Sequence, residues 1–383
     1  MTSRRRFVAT IGSATALGLA GCIETTSTGD DTTTATSATT TEDGTTTTTG
    51  GTTATESGEP PELRMGTTEA YVGAVSTSAG GWVAEAFESE YDVDFEWVVR
   101  ENELNDFVRR KQQGVDLGAD GYVGVTPTGL VRADRELDGS LFAGFDTDGV
   151  ENTSDVEDAY WFDPERRVLP TGASYVCVVY DETAVSEPET LDALTTAEYS
   201  DGLLLPNPQN TVTGLSFLLW TVHEFGEDGY LDYWDRLVDN GLRTTGSWNA
   251  AYSAYSGEEA PMVMSYSTDQ VYASQAEDTD MSRHQVAFPN DQGYAYVSGT
   301  AKFAGTDRGG LVDDFASFML EADTQANVAE KNVGIPTVSD ASLPADLQQY
   351  VHTPENPIQY GYETLAENAD DWREEVSRRI ASQ

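Results

Sequence analysis

The sequence predicts an α/β protein of two lobes, each a mixed sheet flanked by helices, joined by two hinge crossings and carried behind an export signal. Three observations predict it. From residue 62 to 128 the pattern runs strand, helix, strand, helix, strand, the order of a largely parallel sheet. A second series of apolar strands and helices follows from Ala173 to Val297. Ahead of both lie a short apolar leader and a long stretch with nothing to bury.

The leader reads MTSRRRFVATIGSATALGLAGC. Ser3-Arg4-Arg5-Arg6-Phe7 is similar to a twin-arginine motif, and the apolar run from Val8 to Ala20 is too short for a comfortable membrane span. Leu19-Ala20-Gly21-Cys22 is similar to a lipoprotein box. Residues 1–21 are therefore expected to be a signal peptide and Cys22 the lipidated first residue of the mature chain. The lipid would hold the domain at the outer face of the cytoplasmic membrane without spanning it. The competing account is an uncleaved signal anchor. Residues 22–60 are mostly Thr, Ser, Gly, Asp and Glu, which suits a solvated tether open to O-glycosylation. Only Cys177 then remains as a thiol, so no intramolecular disulfide can form.

The globular part opens near Glu62. Leu63 and Met65 alternate with polar residues, and GTTEAYVGAVSTSAGG is a polar loop leading into a helix with Val83, Ala86 and Phe87 on one face. Val93, Phe95, Trp97 and Val99 alternate strictly as a second strand. A helix with Leu104, Phe107 and Val108 inward and the stretch ADGYVGVTPTGL complete this layer. Ligands of such sheets sit beyond the carboxyl ends of the strands, where the loops Thr68–Tyr71 and Val125–Thr128 lie. The run ASYVCVVYDE reads as a buried strand, PETLDAL as a short helix and DGLLLPNP as a strand ending in a turn. Two helices follow, with Leu215, Leu218, Leu219 and Val222, then Leu231, Trp234 and Val238, at core spacing; Thr211 or Thr213 caps the first. Further strands are expected at APMVMSYS, Val286–Phe288 and Tyr294–Val297. Helices starting at Leu311 and Gln325 and a terminal helix through Trp372 end the chain. The lobes are drawn as 61–170 with 301–383, and 171–300.

Composition narrows the function. The 383 residues carry 66 acidic against 21 basic side chains, a formal net charge of -45. No basic stripe exists to neutralise phosphates, which argues against nucleic acid. The acid is interleaved with aromatic residues, and such a hydrated acidic surface suits a protein working in concentrated salt. There the Debye length is only about 3 Å, so the net charge cannot steer a cationic ligand and close contacts must hold it. No GxGxxG, Walker loop, GxSxG elbow or Cys/His cluster at metal spacing occurs. No cofactor and no metal is expected.

The informative stretch runs from Leu203 to Gln275. It sets Trp248, Tyr252, Tyr255, Tyr266 and Tyr272 among small and hydroxylated residues, where a pure core segment would carry Leu, Ile and Val. Aromatic rings beside hydroxyls and carboxylates suit a flat, polar, cationic small molecule.

NPQNTVTGLSFLLW, SWNAAYSAYSGEEAPMVMSYSTDQVY, PTGASYVCVVYDE and VGIPT together resemble one family, the thiamine-binding solute-binding proteins of ABC importers. The likeness covers residues 62–383. Its narrow part is Trp-x-x-Ala-Tyr followed by Ser-Tyr-x-Thr and a tyrosine four residues on; the NP…TG turn is shared by binding proteins for iron, polyamines and phosphonates. The resemblance implies a type II periplasmic-binding-protein-like fold, a monomer that carries thiamine or its phosphates to a permease with its ATPase. It also implies that Trp248, Tyr266 and Tyr272 line the ligand, with Thr211 in the accompanying hydroxyl loop. In the first lobe it places Glu69 as the acidic residue, Tyr71 as an aromatic, and Thr126 in the second ligand loop. There the family carries an acidic residue, and its early tryptophan is missing from VSTSAGG; Trp82 or Tyr71 would substitute. By the same reading Asp269 ranks behind Glu69 as counter-charge, and Tyr252 and Tyr255 support the site from the core. Closure is expected about Pro170–Tyr175 and Gly293–Ala301. Two other readings stay open. One is a thiamine-degrading enzyme with Cys177 as nucleophile, against which stand the apolar neighbours of that residue. The other is the same fold holding iron or a polyamine, although no adjacent tyrosine pair occurs for iron.

Overall fold

The computed structural model describes residues 60–381 apart from 75, 76 and 277. The signal peptide, the lipidation site Cys22 and the tether lie outside the described residues.

The first layer is built from β1 (Glu62–Thr67), α1 (Glu69–Gly73), α2 (Gly80–Glu90), β2 (Asp94–Val99), α3 (Leu104–Gln112), β3 (Gly121–Val125) and α4 (Pro127–Glu136). β1 pairs in parallel with β2 on one side and β3 on the other. Leu63 and Met65 are fully buried and Val93 and Phe95 nearly so, as the alternation predicts, but the pattern slips at the end of β2, where Val98 is buried and Val99 is exposed. Phe87 from α2 meets Phe315 edge-on at 5.1 Å, and Phe95 stacks on the same ring at 5.3 Å. The polar loop after β1 is not wholly irregular. Thr68 caps α1 by accepting from the Tyr71 amide, and that short helix turns Tyr71 inward.

β4 (Phe142–Ala143) leads to β5 (Val168–Tyr180), thirteen residues long and buried almost throughout. Then come β6 (Leu203–Pro206), α5 (Val212–Asp239), β7 (Arg243–Thr245), α6 (Trp248–Ser256), β8 (Met262–Tyr266), α7 (Asp269–Ser274) and β9 (Gln285–Ala287). The two helices expected between 212 and 239 meet in α5, which breaks at Gly226 (φ 68°, ψ 172°), a conformation open to glycine. The PETLDAL segment forms only a short 3-10 turn at Asp192–Thr195. β10 (Gln292–Phe303), α8 (Gly309–Met319), α9 (Ala322–Lys331), β11 (Asn356–Ile358) and α10 (Tyr362–Ala381) complete the chain.

The strands lie in the order β2-β1-β3-β10-β5-β8-β6-β7. Two long antiparallel strands, β5 and β10, therefore join the two halves. Their pairing slips between Ser298 and Gly299, which face Gly172 and Pro170, so Thr171 is the extra residue of a bulge. A Cβ on Gly299 would collide with the Leu169 carbonyl, which explains glycine there. Thr171 meets Thr300 hydroxyl to hydroxyl at 3.3 Å. Pro170 is held by the Thr337 hydroxyl at 2.8 Å, from the GIPT turn.

The terminal helix, which sequence grouped with 301–383, buries Leu365, Ala369, Trp372 and Val376 in the same core as Trp220 and Trp234 of α5. Their spacing is one helical stripe. On its other side α10 meets α4, where Arg135 binds Asp370 and the Ala366 carbonyl. A buried ion cluster pins the start of α10: Arg167 reaches Asp163 at 2.9 Å and Asp134 at 2.8 Å, and Tyr362 donates to Asp134 at 2.6 Å. Among the described residues, no helix is long and apolar enough to cross a membrane.

Candidate ligand-binding cleft

β8 is apolar up to Ser265 and ends on Tyr266, which leaves that ring at the carboxyl end of the strand. Beside it, the Ser247 hydroxyl caps α6 by accepting from the Ala250 amide at 3.1 Å. The cap puts Trp248 at the first helical position, where its indole N–H donates to Ser265 Oγ at 3.1 Å. One turn on, Tyr252 stacks against Trp248 with centroids 4.9 Å apart and planes at 28°. Tyr266 stands 6.0 Å from Trp248, and Tyr272 on α7 meets Tyr252 edge-on at 6.2 Å. Thr213 in the first turn of α5 donates to the Tyr266 hydroxyl at 2.9 Å and fixes that ring.

These four rings form one wall of a cavity of about 600 Å³. The opposite wall is Ala70, Ala74 and Thr77, and Asn332 with Val333 closes a third side. Val333 holds a positive φ of 52°, which costs energy for a β-branched residue, and its carbonyl accepts the Thr268 hydroxyl at 2.8 Å.

One formal charge lines this cavity among the described residues, and it is the carboxylate of Asp269. The residue is only 5% exposed. Its two oxygens take the Tyr252 hydroxyl at 2.5 Å and His284 Nδ1 at 2.7 Å. Burial, and then the charge of Asp269, push the Tyr252 phenol far above the usual tyrosine range, so it stays a donor. Burial likewise raises Tyr266, while the bond from Thr213 acts in the opposite sense. Neutral phenols, an indole and one carboxylate attract a flat organic cation and offer no donor cluster for an anion.

The residues singled out from sequence fall into three groups. Trp248, Tyr266 and Tyr272 come together around the cavity. Thr126 and Thr211 also come together, but in a smaller crevice of about 120 Å³ that Arg132, Arg135, Asp370 and Arg373 line. Each threonine caps a helix, Thr126 accepting from Gly129 and Thr211 from Gly214. Glu69 and Tyr71 face away from both. Glu69 is exposed on α1, and Tyr71 is buried edge-on to Trp97 at 5.5 Å, with no hydrogen-bond partner for its hydroxyl among the described residues. Trp82 stacks on Phe318 instead of reaching the cleft. Tyr252, expected in the core, is on the cavity wall. Its spacing of four from Trp248 is the signal that puts both rings on one helix face. Asp269 supplies the charge at the wall, and Asn332 and Val333 carried no signal in sequence. Tyr255 is buried as expected. Cys177 is fully buried on β5, and burial, then Asp269, push its thiol well above the ordinary range, which makes it a poor nucleophile.

The family described as bacterial extracellular solute-binding protein matches residues 134–359. The thiamine-binding periplasmic protein of Brucella abortus biovar 1 (strain 9-941) is 27% identical over 258 residues, which cover 67% of this chain and 74% of that protein. Among solved structures, a periplasmic thiamin binding protein superposes with a TM-score of 0.71 at 22% identity, over 84% of this chain and 96% of that one. The ferric binding protein from Campylobacter jejuni superposes with a TM-score of 0.68 at 14% identity, over 83% and 99%. At those identities the two structures speak to the fold alone.

Proposed function

The chain belongs to the bacterial extracellular solute-binding proteins, and from that membership we propose that it captures thiamine between its lobes and delivers it to the permease of an ABC importer. The observation that carries the reading is the aromatic cavity with a single buried carboxylate at its wall. Thiamine is a flat molecule with a permanent positive charge on its thiazolium ring. A cation over an aromatic face gains about 0.5–2 kcal/mol, and a good ring stack about 0.5–1.5 kcal/mol. Several such contacts and a desolvated carboxylate are the favourable terms set against the entropy of association. The thiamine-binding name of the Brucella relative points the same way.

In this reading the lobes are 61–170 with 301–383, and 171–300, with the terminal helix touching both. Trp248, Tyr252, Tyr266, Tyr272 and Asp269 form the preformed jaw. The α1 segment that brings Ala70, Ala74 and Thr77 to the cavity is the moving jaw, and closure bends β5 and β10 at the Thr171 bulge. The protein works as a monomeric binding protein and not as an enzyme, in concentrated salt, held at the outer membrane face by lipid on Cys22.

A second reading concerns phosphate esters of the same ligand. Arg132, Arg135 and Arg373 line the crevice at the capped ends of α4 and α5, and Thr213 of α5 touches Tyr266. A phosphoryl tail extending from the aromatic cavity toward these groups would find charge-assisted donors. Calorimetric titration in high salt with thiamine, thiamine monophosphate, spermidine and ferric citrate separates the readings. Absence of heat and of thermal shift with folded protein at about 1 mM thiamine refutes the thiamine reading.

A further inference from the structure

The carboxylate in the cavity is one member of a buried relay. Asp269 sits between Tyr252, whose hydroxyl binds Oδ1 at 2.5 Å, and His284, whose Nδ1 lies 2.7 Å from Oδ2. His284 does not line the cavity. It stands behind Asp269, at the residue before β9, with its side chain 17% exposed. Protons reach it from solvent, while the ligand reaches only Asp269.

We infer that His284 sets the charge of the carboxylate offered to the ligand, so that the cavity captures an organic cation tightly with neutral imidazole and weakly with imidazolium. The inference rests on reading the cavity as a cation site. With neutral imidazole, Nδ1–H donates to Asp269 and the pair carries one negative charge. A proton added at Nε2 leaves that hydrogen bond in place and makes the pair neutral. The cation in the cavity then faces an ion pair instead of an anion.

The surrounding groups leave His284 as the cation that governs Asp269. From α6 come Tyr252 and Tyr255, whose hydroxyls bond Asp269 and the Arg283 carbonyl. From α7 comes Asp269 itself, with Tyr272 beside Tyr252. From β5 comes the buried thiol of Cys177, close enough to feel the Asp269 charge. The turn before His284 contributes Asp280, an exposed carboxylate bonded to Ser282. Arg283, the chain neighbour, is turned onto Asp181 and Glu258, each at 3.3 Å, and onto the Tyr255 carbonyl. Among the described residues, the one ion pair of Asp269 is with His284. The same geometry predicts linkage: a cation bound beside Asp269 and a proton on His284 oppose each other, so binding releases protons where His284 is partly charged.

The test measures Kd for two probes, thiamine and, as the cation of fixed charge, N-methylpyridinium, at about pH 5.5 and pH 8, across the range where histidine changes charge. The expected result for the native protein is binding on the order of tenfold weaker at the lower pH. Calorimetry near the midpoint, in two buffers of different ionisation enthalpy, is expected to show proton release on binding. His284→Gln keeps a donor to Asp269 but cannot charge, and is expected to bind alike at both pH values without releasing a proton; His284→Asn serves if that variant does not fold. A purely structural role for His284 moves neither the pH slope nor the proton count. Native protein that binds with no pH slope overturns the inference, as does a slope retained in His284→Gln, or silence of both probes at the higher pH. Thiamine silent while N-methylpyridinium shows the His284-dependent slope sinks the thiamine reading and leaves the inference standing.

Discussion

Replacing Asp269 by asparagine removes the formal charge from the cavity wall and keeps its shape. The amide oxygen still accepts the Tyr252 hydroxyl, and the amide nitrogen donates to His284 once the imidazole adopts the other tautomer, so both bonds at 2.5 and 2.7 Å have successors. The fold therefore loses little, while a ligand cation loses its counter-charge. At a separation of about 5 Å and an effective dielectric near 20, that attraction is about 3 kcal/mol, or roughly a hundredfold in Kd. Glu69→Gln is the matched control. Glu69 is exposed on α1 and outside the cavity, so its loss is screened and should change Kd by less than about twofold. Titration of both variants with thiamine in high salt, with thermal melts to confirm folding, measures the difference. A Glu69→Gln cost equal to or above that of Asp269→Asn would refute the assignment of the counter-charge. So would an Asp269→Asn cost below about fivefold.

Trp248→Ala removes the ring that stacks on Tyr252 and faces the cavity, and is expected to weaken thiamine binding by about 2 kcal/mol and to abolish most of the ligand-induced change in tryptophan fluorescence. Asp163→Asn leaves Arg167 buried with Asp134 as its remaining close carboxylate. It is expected to cost about 3 kcal/mol of stability by equilibrium unfolding, with ligand affinity kept. Cys177→Ser buries a hydroxyl among apolar neighbours and is expected to cost about 1–3 kcal/mol, read as a lower melting temperature. Thiamine binding should survive that change, and no free thiazole should form from thiamine with either native or variant protein.

The fold was legible because its evidence is periodic. Leu63 and Met65, then Phe95, alternate as strand faces do, and Leu215, Leu218, Leu219 and Val222 repeat at helix spacing. That Trp248, Tyr266 and Tyr272 gather around one cavity was legible too, because large aromatics among serines and threonines are not core composition. The rest was hidden for two reasons. Tyr252 and Tyr255 sit three apart on one helix, and although the spacing of four from Trp248 puts Tyr252 on the Trp248 face, only the packing of α6 in the fold shows that this face meets the cavity and Tyr255 the core. The charge posed the harder case. In a chain with 66 acidic residues, any carboxylate is a plausible counter-ion by sequence. What distinguishes Asp269 is burial and two hydrogen-bond partners brought from α6 and from the residue before β9, and no local pattern encodes those. Asn332 and Val333 reach the cavity from a turn remote in sequence.

The contrast between surface and site explains why a protein so acidic needs a carboxylate inside a box of rings. At concentrated salt, charges on the surface are screened within about 3 Å, so dozens of exposed acids give a passing cation no particular place to stop. Asp269 is less screened because it is only 5% exposed and held between Tyr252 and His284, so a cation in contact with it meets its charge at short range. The same logic applies in reverse to Arg132, Arg135 and Arg373. Three of only 21 basic residues share one crevice, where Asp370 offsets a single charge. Basic side chains scattered over an acidic surface would be consumed by neighbouring carboxylates. Gathered from α4 and α10, they keep a local positive crevice in an acidic protein, separate from the aromatic cavity.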